Sequence, residues 1–323
     1  MKKVAVIGGG TGIFPVTSAL KHLPVDVSTI VAVSDSGGST GRIRDEFGFQ
    51  PVGDLRQSLA ALAEDEGQEW IRKLLLYRFE KGTGLKGHNL GNLILTALQD
   101  LTGTTSEALY RAQQIFRLEG TVIPATEQVV DLKIEFTDGS TVIGEDTLDR
   151  DTDSPMPIKK VSLVPAAPIN PYAQEAIAEA DYVIIGPGDF YASLMAALAP
   201  QGTAQAFAKS QAKIVYIMNL MTRRTQTAHM TAHNHVLEIE RHLKKPVDLV
   251  IMNAGQIPKS ILKRYAAEHE YPVTDDLEDD SRVVRADIIS DAVYQASQSD
   301  TAHRSLLRHD STKLQQVLKR ILK

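Results

Sequence analysis

Residues 3–12 read K-V-A-V-I-G-G-G-T-G, and this stretch decides the fold of the chain. Its apolar run at 4–7 predicts a parallel strand that is buried on both faces. The glycines that follow let the backbone turn sharply and approach another group closely. Residues 13–22 have the apolar spacing of a helix. A helix that starts directly after such a loop presents N–H groups and the positive end of its dipole there, which predicts an anion site.

The glycine loop is a variant of the dinucleotide fingerprint G-x-G-x-x-G. Glycines stand at 8 and 10, but Ile13 occupies the position of the last glycine. The loop therefore predicts a nucleotide-phosphate site without specifying a nicotinamide cofactor, and a tight turn without a ligand is the simpler alternative. The residues assigned to phosphate binding are Gly8, Gly9, Gly10, Thr11 and Gly12.

The composition is that of an ordinary globular protein: of 323 residues, 43% are hydrophobic and 23% are charged. No apolar run approaches the roughly 20 residues of a membrane-spanning helix. The chain has no cysteine, which excludes disulfides and thiolate metal sites and fits a cytoplasmic location. The net charge of −5 and the lack of a basic stripe argue against nucleic acid as a partner. We assign no metal ligand from the sequence.

A second polar loop follows the next predicted strand, at 27–33, and reads S-D-S-G-G-S-T-G-R at 34–42. In dinucleotide folds an acid at the end of the second strand holds a ribose hydroxyl, and Asp35 stands in that region. A metal ion and a reacting hydroxyl are the alternative partners for it. Hydroxyl groups, bare backbone and an arginine suit phosphate or sugar groups. The residues assigned here are Asp35, Ser36, Gly37, Gly38 and Arg42.

Residues 51–117 change to a helical pattern, which we interpret as a helical insertion after the second strand. G-D-L-R at 53–56 opens a helix that Asp54 can cap, and Arg56 can balance phosphate charge. G-H-N-L-G-N at 87–92 opens another helix, where a ligand carbonyl or phosphate can sit; a helix cap or a surface position is the alternative for the histidine. The polar residues assigned there are His88, Asn89 and Asn92.

The second half of the chain alternates strands with helices. Predicted strands at 182–185, 213–218 and 247–252 are apolar and end in glycine or polar residues. Such alternation implies a parallel sheet, and ligands of these sheets bind beyond the carboxyl ends of the strands. The residues that these loops add to the site are Gly186, Pro187, Gly188 and Asn219.

These patterns predict an α/β fold with a Rossmann-like open, mostly parallel sheet, helices on both faces and a helical insertion after the second strand. We expect a single domain over residues 1–323, with the insertion at about 51–117. Alternating residues around D-G predict a β-hairpin at about 129–143.

Two weaker patterns lie near the C-terminus. His229 and His233, with His235 beside them, have the spacing of a zinc pair. Because no H-E-x-x-H pattern and no cysteine accompany them, we interpret these histidines as a solvated helix face. The amphipathic segment at 311–322 predicts a terminal docking helix.

The motifs form an ordered set that covers nearly the whole chain. They are G-G-G-T-G at 8–12, S-D-S-G-G-S-T-G-R at 34–42, G-D-L-R at 53–56, G-H-N-L-G-N at 87–92, P-A-T-E at 124–127 and G-P-G at 186–188. In this order they resemble the bacterial gluconeogenesis factors of the YvcK type, within the CofD-like superfamily of 2-phospho-L-lactate transferases.

The resemblance implies a Rossmann-like, cytoplasmic protein that is required for cell morphogenesis under gluconeogenic growth and binds UDP-sugars such as UDP-N-acetylglucosamine. In the transferase branch, a phospholactyl group passes from a guanosine diphosphate carrier to a deazaflavin alcohol with Mg²⁺. Asp35 resembles the acid of that branch beside metal and acceptor, and Thr126 and Glu127 resemble its polar pair after a later strand. Ser-Gly-Gly follows Asp35 where that branch has a second acid. We therefore favour a non-catalytic or weakly catalytic UDP-sugar-binding regulator that requires no cofactor.

Three other hypotheses stay open: a Mg²⁺-dependent transferase that uses Asp35 as metal ligand or base, an oxidoreductase that binds NAD at the first loop, and a scaffold. GDP and NAD are the alternative nucleotide ligands. The partners that we consider are a second copy of the chain and proteins of cell-wall synthesis, with neither nucleic acid nor membrane insertion. We expect Gly10→Asp to abolish nucleotide binding and to leave the fold intact.

Overall fold

The computed structural model of the protein describes residues 1–34, 38–63, 67–148, 156–292 and 305–323. Within these ranges a larger sheet and a smaller sheet are surrounded by helices. No helix in them is long and apolar enough to cross a membrane.

The elements follow the chain in this order. The strands are β1 (Lys2–Gly8), β2 (Val25–Val31), β3 (Thr121–Pro124), β4 (Asp131–Phe136), β5 (Thr141–Ile143), β6 (Ile158–Val164), β7 (Tyr182–Ile185), β8 (Lys213–Ile217), β9 (Leu249–Asn253) and β10 (Val283–Ala286). The helices are α1 (Gly10–Lys21), α2 (Gly38–Phe47), α3 (Gly53–Leu62), α4 (Glu69–Leu76), α5 (Leu90–Thr102), α6 (Thr105–Phe116), α7 (Glu145–Leu148), α8 (Pro171–Glu179), α9 (Ala196–Leu198), α10 (Thr203–Lys209), α11 (Arg224–Thr227), α12 (Ala232–Leu243), α13 (Lys259–Ala267) and α14 (Ser311–Ile321). A π-helix, Phe190–Met195, precedes α9.

Seven parallel strands form the larger sheet, in the order β10-β9-β8-β7-β1-β2-β3. Strand β1 lies inside the sheet, between β7 and β2, and the direction in which the chain adds strands reverses there. Crossovers between parallel strands are right-handed, so the helices on the two sides of this reversal cover opposite faces of the sheet. The helices from α2 to α6 lie between β2 and β3. This architecture confirms the Rossmann-like α/β fold that the sequence predicts.

The central strands end together at one edge of the sheet. Ile7 of β1 lies beside Ile30 of β2 and beside Ile185 of β7, and all three side chains are buried. The loops at 8–12 and 186–188 therefore leave adjacent strands at the point where the strand order reverses. In open α/β sheets this point is where ligands bind.

Three antiparallel strands form the smaller sheet, in the order β5-β4-β6. Strands β4 and β5 make a hairpin whose turn contains Gly139 at a φ of +86°. Arg44 of α2 contacts Asp131 of β4 at 2.6 Å. This ion pair attaches the smaller sheet to the helix that follows the second polar loop.

The C-terminal helix and the three histidines near α12 have different surroundings. Helix α14 buries Leu314 and Leu318 and packs on α1. His229 and His233 are exposed, but His235 is fully buried. Its ring contacts the Phe190 ring with a centroid distance of 4.7 Å. The interpretation of a solvated face is therefore wrong for His235, which belongs to the core.

Candidate functional site

The glycine loop at 8–12 lies against the first turn of α3 and against the π-helix. A Cβ at Gly10 would lie 2.2 Å from the main-chain oxygen of Asp54, and a Cβ at Gly9 would lie 2.4 Å from the Cβ of Ser193. Only a residue without a side chain allows so close an approach. The glycines are therefore required for the packing of the chain against itself, whether or not the loop also holds a ligand.

The loop at 186–188 closes the other side of the glycine loop. A Cβ at Gly12 would lie 2.1 Å from the carbonyl oxygen of Pro187. Gly188 adopts a φ of +143°, which L-residues with a side chain rarely reach. The two predicted phosphate loops thus contact each other directly at the reversal of the strand order.

Asn219, which follows β8, holds the loop at 186–188 in place. Its Nδ2 donates to the carbonyl of Gly188 at 2.5 Å, and its Oδ1 accepts from the hydroxyl of Tyr216 at 3.2 Å. Burial raises the pKa of Tyr216 above its ordinary value, so its hydroxyl stays protonated and able to donate. These bonds use one donor and one acceptor position of the amide, which has two of each.

Helix α1 begins where the loops at 8–12 and 186–188 contact each other. The N-cap residue is Gly9, which provides no side-chain acceptor for the N–H groups of the first turn. The first four N–H groups of an α-helix have no partner within the helix, and the helix dipole makes this end positive. An uncapped end of a 12-residue helix between two bare loops has the chemistry of a phosphate site.

A buried polar cluster involves α2, α3 and α5. Arg56 Nε donates to Oδ1 of Asn92 at 2.8 Å, and its Nη1 donates to the carbonyl of Leu75 at 3.2 Å. Asn92 Nδ2 donates to Oγ1 of Thr40 at 3.3 Å. Asn89 caps α5 by accepting from the N–H of Asn92. The structure therefore brings together the three polar residues that the sequence assigns to 53–56 and 89–92.

We expect Asn92→Ala to lower the free energy of unfolding by about 1.5–3 kcal/mol, because Arg56 loses the acceptor of a buried charged donor. Asn92 and Arg56 are 2% and 4% exposed, so water does not readily replace the bond. Denaturant-induced equilibrium unfolding measures the change. Asn92→Asp is the matched control, since it keeps the Oδ1 acceptor. Equal losses in the two variants would contradict this explanation.

Helix α3 connects the glycine loop with the polar cluster, because Asp54 and Arg56 both lie in its first turn. The prediction that Asp54 caps this helix is wrong, since the N-cap residue is Val52. The Asp54 Oδ2 instead faces the glycine loop, 2.7 Å from where a Cβ at Gly9 would lie. Asp54 is thus a carboxylate at the site that the sequence analysis did not assign to it.

The expectation that Gly10→Asp leaves the fold intact is also wrong. The new Cβ would lie 2.2 Å from the main-chain oxygen and 2.6 Å from the Cα of Asp54. These are main-chain atoms, so α3 itself would have to move. A loss of binding in this variant would report a displaced helix as much as a lost phosphate site.

Part of the second polar loop lies outside the described residues. Asp35, Ser36 and Gly37 belong to that part, as does the side chain of Arg42. Gly38 is the first residue of α2. Their assignment to ribose, phosphate or metal stays a prediction from the sequence.

His88 and the P-A-T-E motif have local structural contacts. The half-buried His88 donates its main-chain N–H to the carbonyl of Leu85 at 2.9 Å. Glu127 Oε1 accepts from Nδ2 of Asn170 at 3.0 Å and from the N–H of Ser106 at 3.2 Å. The carboxylate of the motif thus bonds to the first turn of α6 and to the cap of α8.

The π-helix is attached to the segment after β8 by a residue that the sequence analysis missed. Gln226 is 6% exposed, and its Oε1 accepts from the N–H groups of Tyr191 at 3.1 Å and Ala192 at 3.2 Å. No motif in the sequence marks this glutamine. π-Helical turns are frequent at functional sites, and this one begins two residues after Gly188.

The strand order, the reversal at β1 and the two glycine loops that meet there define a Rossmann-like α/β protein. The family model described as 2-phospho-L-lactate transferase CofD matches residues 4–294. The chain belongs to this CofD family.

Relatives of known name and structure match almost the whole chain. The gluconeogenesis factor of Bacillus subtilis (strain 168) is 37% identical over 324 residues, which cover 99% of this chain and 98% of the relative. The gluconeogenesis factor of Halalkalibacterium halodurans is 35% identical, with 98% and 95% covered. A Bacillus halodurans protein solved by X-ray crystallography has a TM-score of 0.87 at 32% identity, covering 98% of this chain and 99% of that chain.

Proposed function

We propose that this chain binds a nucleotide sugar, with UDP-N-acetylglucosamine as the first candidate, and acts as a cytoplasmic regulator of cell morphogenesis under gluconeogenic growth. The observation that carries the proposal is the contact between the loops at 8–12 and 186–188 at the N-terminus of α1. Bare backbone, a helix N-terminus without a side-chain cap and the helix dipole together suit a diphosphate.

The polar groups around these loops suit the rest of such a ligand. Arg56 carries a positive charge on α3, whose first turn also contacts the glycine loop. Asn89 and Asn92 lie in the same buried cluster, and Asn219 lies at the second loop. Amides both donate and accept, as ribose, sugar hydroxyls and a base require. The name gluconeogenesis factor, carried by the relatives, supports the physiological part of the proposal.

Calorimetric titration of the purified protein tests the proposal. We expect binding of UDP-N-acetylglucosamine and UDP-glucose with and without Mg²⁺, and no binding of NAD. Binding of NAD alone would replace the proposal with the oxidoreductase hypothesis. Absence of binding by every nucleotide would contradict a nucleotide site and favour the scaffold hypothesis.

Asn219→Asp tests where the phosphates bind. This nearly isosteric change removes the donor to the Gly188 carbonyl and adds a negative charge, so we expect the affinity for the UDP-sugar to fall about 10-fold or more. Asn253→Asp is the matched control, because Asn253 Nδ2 donates to the carbonyl of Gly255 at 2.9 Å after the neighbouring strand. An equal effect in both variants would show that added charge alone weakens binding.

A transferase is the second candidate, because the matching family model carries that description. Mg²⁺ at phosphate sites takes one or two carboxylates together with phosphate oxygens and water. Asp54 is a carboxylate of this kind beside the glycine loop. In the described ranges no group of three or more His, Cys, Asp and Glu residues can hold a metal ion. A Mg²⁺ ion at this site would therefore take its other ligands from phosphate and water. Mg²⁺ would here neutralise phosphate charge, with Asp54 as its protein ligand.

The two candidates differ in their dependence on Mg²⁺. The transferase predicts a preference for GDP that requires Mg²⁺, and turnover that is lost in Asp54→Asn and in Asp35→Asn. The regulator predicts that, in the absence of Mg²⁺, Asp54→Asn weakens UDP-sugar binding less than Asn219→Asp does. Magnesium-dependent turnover of a GDP carrier would overturn the regulator.

A further inference from the structure

A cavity of about 260 Å³ lies between α12, the π-helix, the segment at 224–230 and the start of β6. None of its lining residues belongs to the glycine loops or to the polar cluster. A site for a whole drug-sized ligand usually measures about 300–1,000 Å³. This cavity holds about nine waters by volume, and so fits one part of a ligand, such as a single sugar ring.

One face of the cavity is formed by a polar stripe of α12. Asn234, Leu237, Glu238 and Arg241 line it, at the spacing of one helix face. Glu238 and Arg241 form an ion pair at 2.7 Å, with side-chain exposures of 18% and 62%. The stripe therefore offers an amide and a charged pair beside an aliphatic side chain. A sugar ring has hydroxyls on its edge and C–H groups on its faces. The stripe matches such a ring, because it provides hydrogen-bond donors, hydrogen-bond acceptors and an apolar surface.

Tyr191 forms the inner wall of the cavity. The residue is only 4% exposed, and its ring packs edge-on against Phe190. Tyr191 lines the cavity, and its hydroxyl makes no hydrogen bond within the part of the chain that the structure describes. Burial, and then the neighbouring Glu238 carboxylate, raise the pKa of Tyr191. The hydroxyl thus stays protonated, so that it is able to donate a hydrogen bond.

The cavity lies within reach of the loop at 186–188. Tyr191 follows Gly188 by three residues, so their Cα atoms are at most about 11 Å apart. Gln226 also lines the cavity and bonds to the N–H groups at the start of the π-helix. The wall of the cavity and the second phosphate loop are therefore parts of one continuous, hydrogen-bonded segment.

We propose that this cavity receives the sugar of the bound nucleotide sugar, while the glycine loops hold its diphosphate. The inference rests on the proposed function, because it assigns a place to one part of that ligand. In a nucleotide sugar the ring is attached directly to the terminal phosphate, so it must enter a pocket adjacent to the phosphate loops. The hydroxyl of Tyr191 then donates to a hydroxyl or carbonyl oxygen of the sugar.

Titration of the full-length chain with UDP-N-acetylglucosamine and with UDP separates the sugar from the nucleotide. We expect Tyr191→Phe to weaken binding of UDP-N-acetylglucosamine about 2- to 12-fold, the equivalent of one hydrogen bond, and to leave binding of UDP unchanged. Tyr172→Phe is the matched control, because Tyr172 is 61% exposed on α8 and lies outside the cavity. Ala228→Phe, which fills the cavity, is expected to reduce the affinity for UDP-N-acetylglucosamine to that for UDP.

Thermal unfolding of each variant shows whether the fold is retained. The inference is overturned if Tyr191→Phe and Ala228→Phe leave the affinity for UDP-N-acetylglucosamine unchanged, or lower both affinities equally. It is also overturned if the wild-type chain binds UDP as tightly as UDP-N-acetylglucosamine, an outcome that leaves nucleotide binding intact. If the wild-type chain binds neither ligand, the proposed function fails together with this inference.

Discussion

Gly10→Ala is expected to lower the free energy of unfolding by about 3 kcal/mol or more, at the upper end of the range for overpacked positions. The added methyl group would lie 2.2 Å from the main-chain oxygen of Asp54. A side chain could rotate away from such a contact, but a main-chain oxygen moves only if α3 moves. Denaturant-induced unfolding, followed by circular dichroism, measures the loss.

Gly84→Ala is the matched control for this substitution. Gly84 is exposed, and a Cβ there would have no atom within 4 Å. The same chemical change should alter the free energy of unfolding by no more than about 0.5 kcal/mol. Equal unfolding midpoints for Gly10→Ala and Gly84→Ala would contradict the close packing of α3 on the glycine loop.

The contact at Gly10 couples the stability of the fold to the geometry of the site. Helix α3 carries Asp54 against the glycine loop and Arg56 against Asn92. A displacement of α3 therefore moves both charged groups relative to the N-terminus of α1. Asn219→Asp adds no atom against α3, and it is therefore a better probe of ligand binding than substitutions of the glycines.

The features of the fold that depend on residues adjacent in the sequence could be predicted from the sequence. The apolar run at 182–185 is β7. The chain from Pro171 forms α8, which Asn170 caps by accepting from the N–H of Tyr172. Proline in the first turn after an asparagine cap is a local signal that needs no tertiary information. The parallel pairing of β1 with β2 and β7 likewise agrees with the alternation of strands and helices along the chain.

The contacts of the candidate site could be predicted only in part. A glycine-rich loop indicates that another group approaches the backbone, and the sequence pattern predicts a phosphate there. The structure shows that Asp54 and Pro187 of the chain itself also approach there. Because these contacts depend on how α3 and the loop after β7 pack on α1, no spacing along the sequence encodes them.

The buried position of His235 did have a sequence signal. Together with Ala232, Val236, Ile239 and Leu243, it forms the buried stripe of α12, with the period of a helix. The four-residue spacing of His229 and His233 is instead the spacing of a metal pair. A histidine in register with apolar residues is better interpreted as a core residue, and here its place against Phe190 confirms this.

The second large expected effect is an acid-induced loss of stability caused by His235. Burial lowers the pKa of His235 to about 4, while the Thr231 carbonyl and the Asp276 carboxylate oppose this shift more weakly. Nδ1 lies 2.8 Å from the Thr231 carbonyl and donates to it, whereas Nε2 is buried without a partner in the described ranges. Protonation would place a charge on a nitrogen that has no acceptor there, so the neutral ring is the folded form.

Between pH 6.5 and about 4, the unfolded chain binds a proton at this position and the folded chain does not. The free energy of unfolding therefore falls as the pH drops through this window, by roughly 3 kcal/mol for His235, and this contribution is constant below it. Unfolding in denaturant at pH 7, 6, 5 and 4 measures the slope. His235→Leu should remove this part of the slope, because leucine binds no proton. The Thr231 carbonyl keeps a donor in this variant, since it also accepts from the main-chain N–H of residue 235.

The exposed His233 provides the matched control on the same helix. His233→Leu should keep the wild-type slope, and equal slopes in wild type and His235→Leu would contradict the assignment. A second buried histidine, His309, contributes to the same dependence of the free energy of unfolding on pH. Burial lowers its pKa to about 4, and its Nε2 donates to the Met218 carbonyl at 3.1 Å. The contribution of His309 should remain in His235→Leu.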